Sequence, residues 1–100
     1  MVFFNTPKLT QQLQELQEEA RRIVVTKEAP QGVLRLAVNG LQQVLEVSFG
    51  PTAPALMDRG ELAAVVRDTF NEALSEARRQ LRDEVVKMTG LNIPHLPGLF

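Results

Sequence analysis

Five hydrogen-bond donors recur along one side of a long helical pattern near the C-terminal end of the chain. At about 100° per residue they fall in a single stripe, here called the basic stripe: Arg67, Asn71, Ser75, Arg78 and Arg82. Arginine, asparagine and serine side chains donate to phosphate oxygens and to base edges. The same pattern also fits a solvated helix face, which most mixed charge runs form. Spacing alone therefore leaves a nucleic-acid contact and a solvated surface both open.

A second stripe on the same helix is acidic and consists of Asp68, Glu72, Glu76 and Asp83. Like charges four residues apart repel each other unless a cation lies beside them. Arg79 and Lys87 are close enough along the helix to offset Glu76 and Asp83. The basic stripe has no such partners at helical spacing, so we expect its arginines to be available to a ligand.

Residues suited to covalent or metal chemistry do not form a site. An activated nucleophile needs a base and an orienting group, and no histidine or lysine stands at a suitable spacing from the hydroxyl side chains Ser48, Thr69, Ser75 and Thr89. Glu15, Glu18 and Glu19 lie far along the chain from the single histidine, His95, so we expect them to be solvated. The glycines are isolated and form no phosphate-binding loop. We expect no enzyme activity, metal, cofactor or small-molecule substrate.

Length and composition restrict the class of protein further. One hundred residues form one domain with a modest core. The chain has no cysteine, and 11 basic against 12 acidic residues give a net charge of −1, so a polyanion partner would depend on where the charges lie. Neither a signal peptide nor a membrane-spanning run is recognisable. We therefore expect a soluble, cytoplasmic protein.

The N-terminal part predicts an amphipathic helix. Asn5 or Thr6 can cap it, and Pro7 suits its first position. Apolar residues then recur in a narrow seam that is typical of a helix meeting another helix: Leu9, Leu13, Leu16, Ala20 and Ile23. Residues 23–28 are short and β-branched, which indicates a first strand, and residues 29–32 supply turn types.

Two alternating segments flank Asn39-Gly40 and predict a β-hairpin. Asn-Gly is the dipeptide preferred by a two-residue type I′ turn. That turn would place Leu34 opposite Leu45, Leu36 opposite Gln43 and Val38 opposite Leu41. The twofold period then places one set of apolar residues on the core face of the sheet: Leu34, Leu36, Val38, Leu45, Val47 and Phe49.

The second helix is predicted to begin within residues 55–60 and to end near Met88, with Gly90 just past its end. It would be on the order of 43 Å long, against roughly 26 Å for strands of eight residues. Its overhang would carry an apolar stripe of Ala77, Leu81, Val85 and Met88. We expect a second copy to cover this stripe, the alternative being that the first helix folds back over it.

The order of elements and several residues resemble the YbaB/EbfC family of bacterial nucleoid-associated proteins. The similarity includes the run at residues 32–40, the Gln-, Leu- and Glu-rich first helix and a Pro-rich end at residues 96–100. Single positions that carry it are Val44, Val47, Phe49, Pro51, Glu61-Leu62 and Asn71-Glu72-Ala73. It covers nearly the whole chain and depends on order and spacing rather than on one diagnostic motif.

This resemblance implies an α+β fold of the order α-β-β-β-α, with a three-stranded antiparallel sheet and a long projecting C-terminal helix. Residues 1–90 would form the single domain, and residues 91–100 a Pro-rich tail. The family implies a tweezer-like homodimer without enzymatic activity that binds duplex DNA in the nucleoid and influences nucleoid organisation or gene expression. The competing class is an adaptor dimer that binds recombination or replication proteins.

Overall fold

The computed structural model describes the backbone of residues 6–89 and the side chains of residues 10–88. Its elements are α1 (Thr6–Arg22), β1 (Val24–Glu28), a 3₁₀ turn (Pro30–Gly32), β2 (Leu34–Asn39), β3 (Val44–Phe49), α2 (Ala53–Asp58) and α3 (Leu62–Thr89). The predicted α+β architecture is confirmed. The expectations for Asn5, Gly90, His95 and residues 91–100 concern positions outside the described residues.

The three strands form one antiparallel sheet in the order β1-β2-β3. Helix α3 packs against β1 and β2. Leu34, Leu36 and Val38 are fully buried on the face beneath α3, where Ala73 and Ala77 are also fully buried. Because alanine side chains are short, the helix can lie close to the sheet. The predicted core role of the apolar residues of β2 is confirmed.

The β2–β3 hairpin is longer at its turn than the sequence predicts. Leu34 lies opposite Phe49 and Leu36 opposite Val47, so the predicted type I′ register is wrong by four residues. The residue with positive φ is Gln42, at 62°, which is typical of a type I turn followed by a left-handed residue. Successive side chains of a strand point to opposite faces, so a register shift by an even number of residues leaves each apolar residue on the face that was predicted for it.

Asn39 explains why the chain turns in this way. It is almost fully buried, and its Oδ1 accepts hydrogen bonds from the backbone N–H groups of Leu41 and Gln43 at 2.9 and 3.0 Å. Its Nδ2 donates to Oε1 of Gln43 at 2.8 Å. A short side chain that bonds its own backbone two residues on initiates a turn without requiring positive φ at Asn39 itself.

Gly40 is required by packing rather than by its φ. Its N–H donates to the carbonyl of Ala20 at the end of α1, at 2.8 Å. A Cβ atom at this position would lie 2.6 Å from that carbonyl oxygen. The close approach fixes the hairpin to the end of α1, where Ala20 and Ile23 are buried.

Strand β3 is exposed along its whole length, which contradicts the prediction that its apolar residues belong to the core. Leu45, Val47 and Phe49 are 51%, 43% and 56% exposed. Their register places Val47 and Phe49 on the same side of the sheet as Leu36 and Leu34. Helix α3 covers the other two strands and leaves this side of β3 open.

A short helix, α2, precedes α3 and is absent from the sequence prediction. It ends at Asp58, and Gly60, two residues past its end, has a φ of 73°. Gly60 N–H bonds the carbonyl of Met57 at 3.0 Å, and Glu61 N–H bonds that of Leu56 at 2.9 Å, which is the hydrogen-bond pattern of a Schellman C-cap. The single helix that was predicted to begin within residues 55–60 therefore corresponds to two helices, α2 and α3, which this C-cap separates.

Helix α3 has 28 residues and is about 42 Å long. Ala77 and Val85 are buried within a single chain, and Leu81 is half-buried against the core. The prediction that this stripe remains open without a second copy is therefore wrong for Ala77 and Val85. Met88 is 43% exposed.

Helix α1 contacts α3 and β2, and its predicted apolar seam is buried only at its C-terminal end. Ala20 and Ile23 are buried, Leu16 is half-buried and Leu13 is 54% exposed. The side chain of Leu9 lies outside the described residues. The seam therefore docks the end of α1 against the domain and leaves Leu13 on the surface.

Candidate nucleic-acid interface

The five residues of the basic stripe lie on α3 and span about 22 Å along its axis at 1.5 Å per residue. Arg67, Asn71 and Ser75 are exposed, whereas Arg78 and Arg82 are half-buried. All five are within one continuous helix, so its regular geometry fixes their mutual orientation. The helix carries five basic and five acidic side chains. It can therefore present a positive surface only if the basic and the acidic side chains lie on different sides of the helix.

Arg67 departs from the expectation that the basic stripe has no partner within the helix. Its Nε lies 3.0 Å from Oδ1 of Asp68, and both side chains are more than half exposed. Exposed ion pairs of this kind contribute little to stability, so a phosphate could compete with the carboxylate for this guanidinium.

The acidic stripe binds Arg79, as the sequence predicts. Arg79 bonds Glu76 through two guanidinium nitrogens and contacts Asp83 at 3.4 Å. Its hydrogen bonds lower the pKa of Glu76, and smaller contributions come from Gln80 and from the charge of Lys27 on β1. Hydrogen bonding to Glu76 likewise raises the pKa of Arg79 above its ordinary value. Arg79 is thus occupied by protein carboxylates.

Lys87 contacts Glu84 at 3.3 Å, although the sequence suggested that it would offset Asp83. Arg78 and Arg82 make no ion pair or side-chain hydrogen bond with any described residue. The ion pairs of α3 therefore hold Arg67, Arg79 and Lys87 and leave Arg78 and Arg82, one turn apart, as the unpaired cations of the described helix.

The structure also has an apolar surface that the sequence analysis did not identify as a site. A depression with a volume of ≈ 380 Å³ lies between β3, α2 and the start of α3 and is lined by Phe49, Gly50, Ala53, Pro54, Met57 and Leu62. A second depression adjoins it and is lined by Met57, Gly60, Leu62, Ala63 and Val66. The signal in the sequence was the alternating apolar pattern of β3, interpreted there as core.

Membrane-spanning helices and metal-binding clusters are absent from the described part of the chain. No helix among those residues is both long and apolar enough to span a bilayer. Between residues 6 and 89 there is also no group of three or more acidic, histidine or cysteine side chains arranged to hold a metal ion.

Comparison with known proteins agrees with this fold. An uncharacterized protein from Helicobacter pylori has a crystal structure that superimposes with a TM-score of 0.63 at 12% sequence identity, covering 88% of this chain and 100% of that chain. At this identity the likeness concerns the fold alone.

Sequence comparison shows the family. A nucleoid-associated protein from Chlorobium phaeobacteroides is 33% identical over 81 residues, covering 80% of this chain and 70% of that protein. A nucleoid-associated protein from Thermoanaerobacter pseudethanolicus is 30% identical over 105 residues, covering 97% and 92%. The model of the YbaB/EbfC DNA-binding family matches residues 4–92. The chain therefore belongs to the YbaB/EbfC DNA-binding family.

Proposed function

We propose that this protein binds duplex DNA as a homodimer, mainly through phosphate contacts made by the basic stripe of α3. The observation that carries the proposal is that Arg78 and Arg82 form no ion pair with any described residue. Arg79 and Lys87, on the same helix, are by contrast paired with carboxylates. Free guanidinium groups can form charge-assisted, bidentate hydrogen bonds with phosphate.

Membership of a DNA-binding family supports DNA as the partner, and the layout of charge on α3 supports the site. Because the protein carries a net charge of −1, its field as a whole does not attract a polyanion. Binding therefore depends on the local separation of the two stripes. Asn71 and Ser75 lie between the arginines and add neutral donors to phosphate oxygens.

The homodimer is supported by the exposed apolar surface of β3 and α2 rather than by the end of α3. Phe49 and Met57 are 56% and 62% exposed, and contiguous apolar patches on soluble proteins often mark interfaces. A dimer would present two basic stripes and therefore six arginines. The binding energy of phosphate contacts grows with the number of phosphates neutralised.

The biological setting follows from the relatives, which are named nucleoid-associated proteins. We infer that this protein acts without catalysis in the bacterial cytoplasm, on the nucleoid, where it affects nucleoid organisation or gene expression. We also infer that residues 1–90 act as one unit.

A second candidate function is an adaptor that binds a recombination or replication protein. The observation that favours it is the apolar lining of the two adjoining depressions, because protein partners bury such surfaces. Under this alternative the arginines of α3 are a solvated face, and the apolar surface binds another polypeptide.

A gel shift with random-sequence duplex at 50 and 200 mM salt separates the two functions. DNA binding through phosphates predicts a shifted band whose affinity falls steeply with salt. The absence of a shifted band at 50 mM salt would overturn the proposed function and leave the adaptor. Binding that does not change with salt would contradict the phosphate contacts.

A further inference from the structure

Asn39-Gly40 is a dipeptide with covalent chemistry of its own, and it is the one asparagine in the chain that precedes a glycine. The other asparagines are followed by threonine, glutamate and isoleucine. The backbone nitrogen that follows an asparagine can attack the side-chain carbonyl carbon, and glycine, which has no side chain, hinders this attack least. The sequence therefore places the most reactive position for deamidation at the turn between β2 and β3.

Deamidation at this position consumes only water. The Gly40 nitrogen gives its proton to a base from the solvent and forms a bond to Cγ of Asn39, while the bond from Cγ to Nδ2 breaks and ammonia leaves. Water then opens the resulting cyclic imide at one of its carbonyl carbons. The product at position 39 is aspartate or isoaspartate, and isoaspartate lengthens the main chain by one atom because the chain then runs through Cβ and Cγ.

Both reacting groups are held in place in the folded chain. Gly40 is buried, and its N–H donates to the carbonyls of Ala20 at 2.8 Å and Ile23 at 3.1 Å. Asn39 is 1% exposed, and its side-chain oxygen accepts hydrogen bonds from two backbone N–H groups. The attack requires a solvent base at Gly40 and a rotation of the Asn39 side chain, and the fold opposes both.

The end of α1 is the element that covers Gly40, and only a small part of α1 is buried. Ala20 and Ile23 are buried, whereas Leu16 is half-buried and Leu13 is exposed. Segments with few buried apolar contacts open locally at a lower free energy than the whole domain. Undocking of α1 is therefore a less costly route to an exposed Gly40 than unfolding of the whole domain.

We propose that Asn39-Gly40 is a deamidation site that the docking of α1 keeps closed, so that copies whose α1 undocks are converted irreversibly at position 39. Aspartate there keeps the oxygen acceptors of Asn39 but places a charge in a buried turn. Isoaspartate adds a main-chain atom next to Gly40, which then no longer meets Ala20 in the same geometry. The site thus marks molecules that have opened, and it does not depend on the DNA contacts of the proposed function.

Incubation of the full chain in mildly alkaline buffer, with and without guanidinium chloride, tests the site by peptide mass mapping. Trypsin releases Asn39 in the peptide 36–59, and Asn71, which precedes glutamate, in the peptide 68–78 as an internal reference. We expect Asn39 to react faster than Asn71 in the denatured chain, and to react about tenfold or more slowly in the folded chain, because only the open fraction reacts. A rate at Asn39 no higher than at Asn71 in the denatured chain, or equal rates at Asn39 in both buffers, would overturn the proposal.

Two leucine-to-alanine variants test the role of α1 in the buffer without denaturant. Leu16 is half-buried on α1, whereas Leu56 on α2 is buried in the core, so Leu56→Ala should lower the global stability more. Leu16→Ala removes part of the apolar contact that docks α1, and we expect it to raise the rate at Asn39 by about fivefold. We expect this rate to exceed that of Leu56→Ala despite the smaller loss of global stability.

An unchanged rate in Leu16→Ala, or a faster rate in Leu56→Ala, would overturn the role of α1, because the site would then open only by global unfolding. Circular dichroism establishes that each variant is folded during the incubation. If Leu56→Ala is unfolded, Leu56→Val takes its place as the matched control.

Discussion

Replacing Asn39 with alanine removes the side chain that organises the turn between β2 and β3. Asn39 is 1% exposed and makes three side-chain hydrogen bonds, two of them to the backbone N–H groups of Leu41 and Gln43. Each such bond contributes about 0.5–1.5 kcal/mol net. The third bond joins the exposed side chain of Gln43 and contributes at the lower end of that range. We expect Asn39→Ala to reduce the free energy of unfolding by about 2 kcal/mol.

The assay is urea denaturation followed by circular dichroism, at one fixed protein concentration because association would shift the midpoint. A loss of about 2 kcal/mol lowers the melting temperature of a domain this size by roughly 8–16 °C. The slope against urea should stay unchanged if the fold is retained.

Two variants provide controls for this substitution. Gln43→Ala keeps both backbone hydrogen bonds of Asn39 and loses only the bond from Nδ2, so we expect a cost below about 1 kcal/mol. Asn39→Asp keeps an oxygen acceptor for both N–H groups and should fall between Asn39→Ala and the parent. Equal stability of Asn39→Ala and the parent, or a larger loss in Gln43→Ala, would refute the role given to this side chain.

Three other substitutions follow from the structure. Gly40→Ala brings a Cβ within 2.6 Å of the Ala20 carbonyl oxygen and should cost about 1–3 kcal/mol in chemical denaturation. Gly60→Ala meets open space but keeps a φ of 73°, and should cost about 1–2 kcal/mol from backbone conformation alone. The Glu76 pKa, measured by NMR titration, should be below the ordinary carboxyl value and rise in Arg79→Ala, since Arg79 is the main cause of the shift. Because the folded pKa is the lower one, this contribution to stability is complete above the ordinary carboxyl pKa and is lost as the pH falls through the folded pKa.

The period of the apolar residues predicted correctly those elements whose apolar face is buried within a single chain. The apolar alternation of β2 identified Leu34, Leu36 and Val38, which are fully buried. The helical pattern of α3 likewise identified Ala77 as apolar, although it placed this residue on an overhang and not in the core of a single chain. The same alternation in β3 did not predict burial, because periodicity reports which side of a sheet a residue faces and not whether another element covers that side.

The turn and the second helix required information that local patterns lack. Asn-Gly favours a type I′ turn in isolation, but here the Asn39 side chain bonds two N–H groups and α1 packs against Gly40. Helix α2 has only six residues, which is too short for a helical period to be recognised in the sequence.

The charge pattern of α3 was largely predictable, since Arg79 pairs with Glu76 and Asp83 as expected. Arg67 was not, because its partner is the adjacent residue Asp68. A helical-spacing argument considers neighbours three and four residues apart, and it does not cover a long side chain that bends back to the next residue. The DNA-binding role of the basic stripe stays a prediction.

The salt dependence of DNA affinity tests the central proposal most directly. Arg78→Ala with Arg82→Ala removes four side chains from a dimer, and each phosphate contact contributes about −0.9 to the slope of log affinity against log salt. We expect weaker binding on every duplex sequence and a slope shallower by up to ~3.6. Arg79→Ala with Lys87→Ala removes the same charge from ion-paired cations and should leave the slope near that of the parent. An unchanged slope in the first variant, or a larger change in the second, would contradict DNA binding through the basic stripe.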